Sequence, residues 1–469
     1  MIERPTAIVL AAGSGSRFGG GKLLASLGGR PILQHVLDAL DQGGIADPIV
    51  VIGPTDELER DMKWGAARLV VNPDPSRGLS SSLQVGWAAA MAADPPPDCA
   101  LVVLGDQPLL DPAVIAALLA APPDAQRPIV VARHADGARN PVRLEPGAAP
   151  LVAEASGDRG LGPSLDLHPE LVRHLDVPGA NPDVDRRSDL VGILEARWAD
   201  RVRANNAQVE RFREAPDGSD FYARVSRTFV ADPARDDDPV LETLLEQARP
   251  DDTWLDVGAG AGRYALPIAR EVREVIAVDP STAMLAALAE GARTHRIPNV
   301  RIHEGRWPAD DALRASLGPD PIADVALIAH VSYDIAAIGP FVDALESAAR
   351  RLCVAVLMER SPASVAASFW PFVHGEERVP LPALPDFLEL LAARGLKTDV
   401  RRIDAEPRRW GDRDEFLELL RRQVWTAPGS AADDRLLAAI PRLTEPAVGG
   451  GLLIAGGRSL EIGVVTWTP

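Results

Sequence analysis

Five glycines fall within nine residues, at positions 13, 15, 19, 20 and 21, directly after the apolar run Ala7-Ile8-Val9-Leu10. The run reads as a buried first strand. The glycines cannot continue it as strand or turn it into helix. They make a loop whose backbone can approach a ligand closely and turn its N–H groups towards it. Arg17 and Lys22 add two positive charges to that loop. Strand, glycine loop and cations together suit the tail of a nucleoside triphosphate.

The spacing excludes two common phosphate loops. A Walker A loop needs Gly six residues before the Lys and Ser or Thr after it, and Ser16 and Leu23 stand there instead. A dinucleotide fingerprint needs a third Gly where Phe18 stands. Lys22 is conspicuous because the chain has 49 Lys+Arg but only three lysines, Lys22, Lys63 and Lys397. A compact ammonium on a flexible stem suits a phosphate oxygen that moves during reaction.

Downstream, Ile32–Leu40 has helical spacing, and the apolar runs at Pro48–Gly53, Leu69–Asn72, Ala100–Leu104 and Ile129–Ala132 read as strands. Alternation of strands with helices predicts a mainly parallel sheet covered on both faces. Gly78-Leu79-Ser80-Ser81-Ser82 opens a helix whose first N–H groups are free and ringed by hydroxyls. Gly105-Asp106-Gln107-Pro108 follows the strand at 100–104, where open α/β sheets bind ligands. Triphosphate chemistry needs a divalent ion, and Mg²⁺ takes one or two carboxylates plus phosphate oxygens, so Asp106 is the first expected metal ligand.

The order Leu10-Ala11-Ala12, then Gly-x-Gly-x-Arg-x-Gly-x-x-Lys, resembles the nucleotidyltransferases that include molybdenum cofactor cytidylyltransferases. Asp183-Val184-Asp185 resembles that family's closing Asp-Val-Asp-Thr motif, with Arg186 in place of Thr. Asn140 stands where the family commonly has the His of Gly-His-Pro, on the acceptor side. The resemblance spans about residues 5–197. It implies that Leu10, Ala11, Ala12, Gly13, Gly15, Gly78 and Ser82 bind nucleotide. It also implies catalysis by Arg17, Lys22 and Asp106, and Mg²⁺ held by Asp106 and Asp185. Ala12 resembles the cytidylyl branch, where guanylyl relatives tend to have Gly, and this favours CTP. Molybdopterin is then the best-fitting phosphorylated acceptor, with a molybdoenzyme as client; sugar and alcohol phosphates stay open.

A second glycine loop, Gly258-Ala259-Gly260-Ala261-Gly262, follows the apolar run ending at Asp256-Val257. Arg263 stands where a dinucleotide fold would want Gly. The next predicted strand, Val275–Val278, ends at Asp279, an acid placed to accept ribose hydroxyls. Over about 205–469 the chain looks like an S-adenosylmethionine-dependent methyltransferase of the Rossmann-like class. That resemblance implies that Asp256 helps to hold the methionine end, that Gly258, Gly260 and Gly262 pass beneath the cofactor, and that Asp279 binds ribose. Trp307 lies where the family contacts adenine and either stacks there or closes the core. His330 and Tyr333 follow a predicted fourth strand and face the expected methyl-transfer site. The cluster Phe369–Gly375 reads as a substrate lid or as packing. Gly451–Ala455 and Ser459–Trp467, joined by Gly456-Gly457, read as a terminal antiparallel hairpin. The methyl acceptor is not legible, and an NAD-binding or non-catalytic module is the competing reading.

The expected architecture is therefore α/β, with two domains each built on a mainly parallel sheet with helices on both faces. The nucleotidyltransferase domain is expected over 1–197, a polar helical connection over 198–225, and the methyltransferase domain over 226–469. The net charge of −18 argues against general affinity for nucleic acid or anionic membrane. Cys99 and Cys353 sit in apolar runs and read as buried thiols of a reducing, cytoplasmic protein.

Overall fold

The computed structural model describes residues 2–54, 58, 62–214, 229–405, 409–447, 450–455 and 460–469. They form two compact units, Met1–Gly192 and Ile193–Pro469.

The first unit holds seven strands: β1 (Pro5–Leu10), β2 (Ile49–Ile52), β3 (Arg68–Val71), β4 (Cys99–Leu104), β5 (Ile129–Arg133), β6 (Val142–Leu144) and β7 (Val172–Asp176). Their order across the sheet is β3-β2-β1-β4-β6-β5-β7. β1 pairs in parallel with β2 and with β4. β6 runs antiparallel between β4 and β5, a strand the alternation of motifs did not suggest. It is only three residues long, and all three are buried. The four consecutive buried residues of β2 show why these strands read as unbroken apolar runs: helices cover both faces. One face packs on Leu33, Val36 and Leu40 of the helix Ile32–Gln42, the other on Leu83, Trp87 and Ala90 of the helix Leu79–Met91. Gly86 lets the latter helix sit directly on Ile8 and Val51, because a Cβ there would collide with both. At the start of the same helix Ser81 and Ser82 lie against Asn72, just past β3.

The second unit is built on β8 (Thr253–Val257), β9 (Glu274–Asp279), β10 (Val300–Glu304), β11 (Ala323–Ala329), β12 (Ala349–Met358), β13 (Thr398–Ala405) and β16 (Leu460–Trp467), ordered β10-β9-β8-β11-β12-β16-β13. The first five are parallel; β16 is antiparallel to both β12 and β13. An antiparallel pair does close this fold, but its members are β13 and β16. β15 (Leu452–Ile454), expected to pair with β16, pairs instead with β14 (Thr444–Pro446) in a separate small sheet. Gly456 and Gly457 lie outside the described residues.

Between β12 and β16 a helical module packs Phe369, Trp370, Trp410, Phe416, Leu420 and Leu436 into its own core. The aromatic cluster at 369–375 is therefore mostly interior, although Phe372 is exposed. The helix Arg187–Phe212 runs through the first part of the polar stretch expected at 198–225. Its Trp198 indole donates to the carbonyl of Ile335, and its Asn205 amide to that of Val379. Asp217, Gly218 and Ser219 lie outside the described residues. Both cysteines are free and buried; burial pushes the Cys99 thiol up to about 12 and raises that of Cys353 as well. Among the described residues no helix is long and apolar enough to cross a membrane.

Candidate active sites

In the first unit the glycine loop leaves β1 at Ala11, whose N–H still reaches the carbonyl of Val51 at 2.9 Å. The N–H groups of residues 12–17 donate to no backbone acceptor among the described residues. The loop then closes on itself: the Phe18 and Gly20 N–H groups donate to the Gly15 carbonyl. Gly15, Gly19, Gly20 and Gly21 all have φ between +58° and +95°, which side chains resist. Phe18 is buried under the loop with the Arg187 guanidinium 5.2 Å from its ring centre, so the loop is pinned at its middle. Leu10, Ala11 and Ala12 are buried at the loop's root, while Gly13 is exposed, with nothing within 4 Å of where a Cβ would stand.

Lys22 begins a short 3-10 turn whose Leu23 is buried, which anchors the backbone below its ammonium. Nζ donates to Asp106 Oδ2 at 2.6 Å and to Asp185 Oδ1 at 3.3 Å. Arg17 Nη1 lies 3.5 Å from Asp185 Oδ2 and is otherwise open to solvent. Burial works against the charge on Lys22, but Asp106 and then Asp185 outweigh it and hold the proton more tightly than usual. Three segments far apart in sequence thus meet at one cation.

Their positions have local causes. Asp106 follows β4, whose neighbour Gly105 donates to the Leu10 carbonyl and so ties the strand end to the glycine loop. The Val184 N–H donates to the Asp106 carbonyl at 3.0 Å, and Asp189 accepts from the N–H groups of Asp185 and Arg186. The buried Gln107 side chain donates to Asp183 Oδ1 and to the Asn181 carbonyl. Asn181 in turn donates to Gln107 and to the Asn140 carbonyl. Burial, and then the charge of Asp106, raise the Asp183 carboxyl above its ordinary range. Gln107, Asn181, Asp183 and Asp189 were not singled out from sequence. The Asp-x-Asp alternation about Val184, which turns only one carboxylate towards Lys22, was the available signal.

Gly78 has φ +93°, and a Cβ on it would stand 2.5 Å from the Gly157 backbone and from Asp158 Oδ1. Ser82 is buried, and its Oγ accepts from the Asn72 amide at 2.9 Å, as does that of Ser81. The expected contact of Ser82 with nucleotide must therefore share this hydroxyl with Asn72.

Two carboxylate oxygens converging on one cation fit Mg²⁺, which needs few protein ligands when phosphates and waters supply the rest. Among the described residues no group of three or more His, Cys, Asp or Glu is placed to hold a metal ion by itself. The ion fits this site only as a partner of bound phosphate.

In the second unit the loop Gly258–Gly262 leaves β8 and bends back on β9: Gly258 and Ala259 donate to the Val278 carbonyl. The carboxylate of Asp279 accepts from Gly260 N at 2.9 Å through Oδ2 and from Ser281 N at 2.8 Å through Oδ1. These bonds tie the carboxylate to the glycine loop on one side and to the helix start at Ser281 on the other. Gly258 packs against Val331 so closely that a Cβ would collide with it, and Gly262 against Leu266 and Leu288. Gly260 has open space where a side chain would project. Asp256 is buried and its Oδ1 has no partner among the described residues. Burial, and then repulsion from Asp279, push its carboxyl up to about 7.

Trp307 is half-buried with its indole N–H unpartnered among the described residues. His330 and Ser332, just past β11, adopt φ of +57° and +91°, a left-handed backbone that costs energy in non-glycine residues. His330 Nδ1 and Ser332 Oγ also lack partners among the described residues. Burial, and then Arg263, lower the imidazole to about 4, so it is neutral. Tyr333, by contrast, is structural at its hydroxyl, which accepts from Met358 N at 2.7 Å. Asp256, Trp307, His330 and Ser332 thus each keep a polar side-chain atom with no partner among the described residues, a mixed set of acceptors and donors of the kind S-adenosylmethionine would use.

Residues 7–174 match the model of the MobA-like NTP transferase domain, and residues 255–352 that of a methyltransferase domain. A probable molybdenum cofactor guanylyltransferase of Thermococcus kodakarensis is 32% identical over 136 residues, 29% of this chain and 62% of that protein. The chain therefore spans about three fifths of that relative. A 23S rRNA (uracil(1939)-C(5))-methyltransferase of Aeromonas hydrophila is 38% identical over 80 residues, 16% of this chain and 18% of its own length. Among solved structures, Rv0371c of Mycobacterium tuberculosis is 28% identical, with 42% of this chain and all of that one aligned at a TM-score of 0.37.

Proposed function

We propose that this chain, which carries a MobA-like NTP transferase domain followed by a methyltransferase domain, is a bifunctional transferase. The domains are taken as 1–197 and 226–469, with 198–225 joining them, in a cytoplasmic enzyme. The observation that carries the first activity is the meeting of Lys22, Asp106 and Asp185 beside a loop of free N–H groups.

In the first reaction an oxygen of a phosphorylated acceptor attacks the α-phosphorus of a nucleoside triphosphate in line. The bond from the α-phosphorus to its bridging oxygen breaks, and pyrophosphate leaves with that electron pair. No protein nucleophile is needed; positioning and charge neutralisation suffice. The N–H groups of residues 12–17 and the Arg17 guanidinium hold the β and γ phosphates. Leu10, Ala11, Ala12, Gly78 and Ser82 line the nucleoside. Lys22 stabilises the charge that builds on the α-phosphate oxygens. A divalent ion on Asp106 and Asp185 would neutralise phosphate charge and polarise the reacting phosphorus.

CTP is the proposed donor because the buried Ala12 methyl narrows the base side, and GTP is the competing donor because the Thermococcus relative is named a guanylyltransferase. Molybdopterin is the proposed acceptor, with a molybdoenzyme as client. The test is pyrophosphate release with a panel of triphosphates and molybdopterin. Lys22→Ala and Asp106→Asn are expected to lower turnover about 10²–10³-fold with unchanged circular dichroism. Near-normal turnover in either variant refutes the assignment.

In the second domain, Asp279 is proposed to hold the ribose, Asp256 the methionine end, Trp307 the adenine, and Gly258, Gly260 and Gly262 the floor. S-adenosylmethionine, when bound, supplies an electrophilic methyl on sulfur. His330 accepts a proton where the acceptor must lose one. The methyl acceptor is left open apart from nucleic acid, to which a chain of net charge −18 is ill suited. Calorimetry with S-adenosylmethionine and with NAD tests the domain: binding of NAD alone, or of neither, removes this reading.

A further inference from the structure

The ammonium of Lys22 stands between the two carboxylates assigned to the divalent ion, 2.6 Å from one and 3.3 Å from the other. Its side chain is only 12% exposed, and Arg17 Nη1 lies 3.5 Å from the other oxygen of Asp185. The charges of Asp106 and Asp185 are matched by those of Lys22 and Arg17, while the neighbouring Asp183 is held by the Gln107 amide. A divalent ion approaching this arrangement meets carboxylates that are compensated and a positive charge within hydrogen-bond reach of both. Repulsion between like charges a few ångströms apart in a half-buried setting opposes a divalent ion on these carboxylates while the ammonium stays there.

The same geometry provides the release. The backbone below Lys22 is fixed by buried Leu23 and by Gly15, where an added Cβ would come within 3.2 Å of the Lys22 Cβ. Only the four-carbon stem is free to move. The unpaired N–H groups of residues 12–17 lie on the same loop and seat a triphosphate, whose charge offers the ammonium another partner. We infer that Lys22 is an internal cation that keeps the divalent site closed and is drawn off it by the incoming triphosphate, so that metal and nucleotide load together. This rests on the nucleotidyltransferase reading of the first unit. It assigns Lys22 a second role, distinct from its contact with the α-phosphate, as the gate on metal entry.

The consequence is a coupling that binding alone can read. Mn²⁺ serves as probe, its free concentration followed by electron paramagnetic resonance on the full chain without nucleotide. Lys22→Met, which keeps the stem and removes the charge, is expected to bind Mn²⁺ at least about tenfold more tightly than the natural chain, in the range of ordinary coupling between sites. Lys22→Arg keeps a cation there and is expected to stay weak. In the Lys22→Met background, Asp106→Asn is expected to abolish the gain. Near-ultraviolet circular dichroism and melting check that each variant is folded, and the Arg variant supplies a second comparison if the Met variant is not. Equal Mn²⁺ affinity in the natural chain and in Lys22→Met overturns the gate. If Mn²⁺ binding by the CTP-loaded chain is also unaffected by Asp106→Asn, the metal reading itself falls; if it is lost, that reading stands and only the gate is wrong.

Discussion

Replacing Asp256 by Asn tests the second site through its energetics. The carboxyl lies buried at the end of β8, and burial with the neighbouring Asp279 raises it from 3.8 to about 7. Between these two values the folded chain keeps a proton that the unfolded chain has lost. The stability of the second unit therefore falls as pH rises through that window and levels off above it. At about 1.4 kcal/mol per pH unit, the full window holds ~4 kcal/mol against the folded state, as a ceiling that water entry and relaxation reduce. Asparagine cannot ionise. The stability difference between the Asn variant and the natural chain should be near zero at about pH 4 and grow towards that ceiling by about pH 8. Urea unfolding followed by tryptophan fluorescence measures it, because Trp254 is fully buried on the same strand. Affinity should move the other way: the ammonium of S-adenosylmethionine loses an anionic partner, so calorimetry should find weaker binding by the more stable protein. Parallel stability profiles for the two proteins would show that no strained carboxyl resides there, and the argument for a cationic ligand at Asp256 would go with it.

Two further outcomes follow from packing. Arg143 has a side chain that is 0% exposed and donates to the carbonyls of Leu118, Ala121 and Pro122 and to Glu145. Arg143→Met should destabilise the first unit by about 3–5 kcal/mol, since it strands buried acceptors; a thermal shift within a degree of the natural protein contradicts this. Gly258→Ala places a methyl against Val331 at a φ of +76° and should weaken S-adenosylmethionine binding. Adding Val331→Ala removes the collision but leaves about 1–2 kcal/mol of backbone strain, so calorimetry should find partial recovery, and full recovery would show that φ is immaterial there.

What could be read in the residues was what local chemistry dictates. Glycine density after an apolar run announces a ligand loop because glycine adopts those φ values without the strain other residues carry there. Acids just beyond strands announce ligand sites because sheet topology exposes strand ends. The structure places Asp106 beside Lys22 at the end of the first loop, and Asp279 on Gly260 of the second, where that reading expects them. The pairing of β16 differs because a two-glycine junction signals a hairpin locally, whereas its actual partners, β12 and β13, lie more than fifty residues upstream. Gln107 and Asn181 were passed over for a similar reason: a buried amide has no periodic signature, and its value appears only when its partners arrive from the far end of the unit. Ser82 looked like a free helix-start hydroxyl, and only the fold brings Asn72 onto it.

The placement of β16 also bears on how the second sheet is assembled during synthesis. β13 borders no strand of that sheet other than β16, and β12 needs β16 on its outer flank. A ribosome that has released residues up to 405 has therefore delivered a strand with no neighbour to lie against. The remaining helices of the module, which carry Phe416, Leu420 and Leu436, emerge while that edge waits. Lesions that remove or derail residues 460–467 should be read as losses of the interior of the sheet, with consequences reaching to β12, and not as harmless trimming.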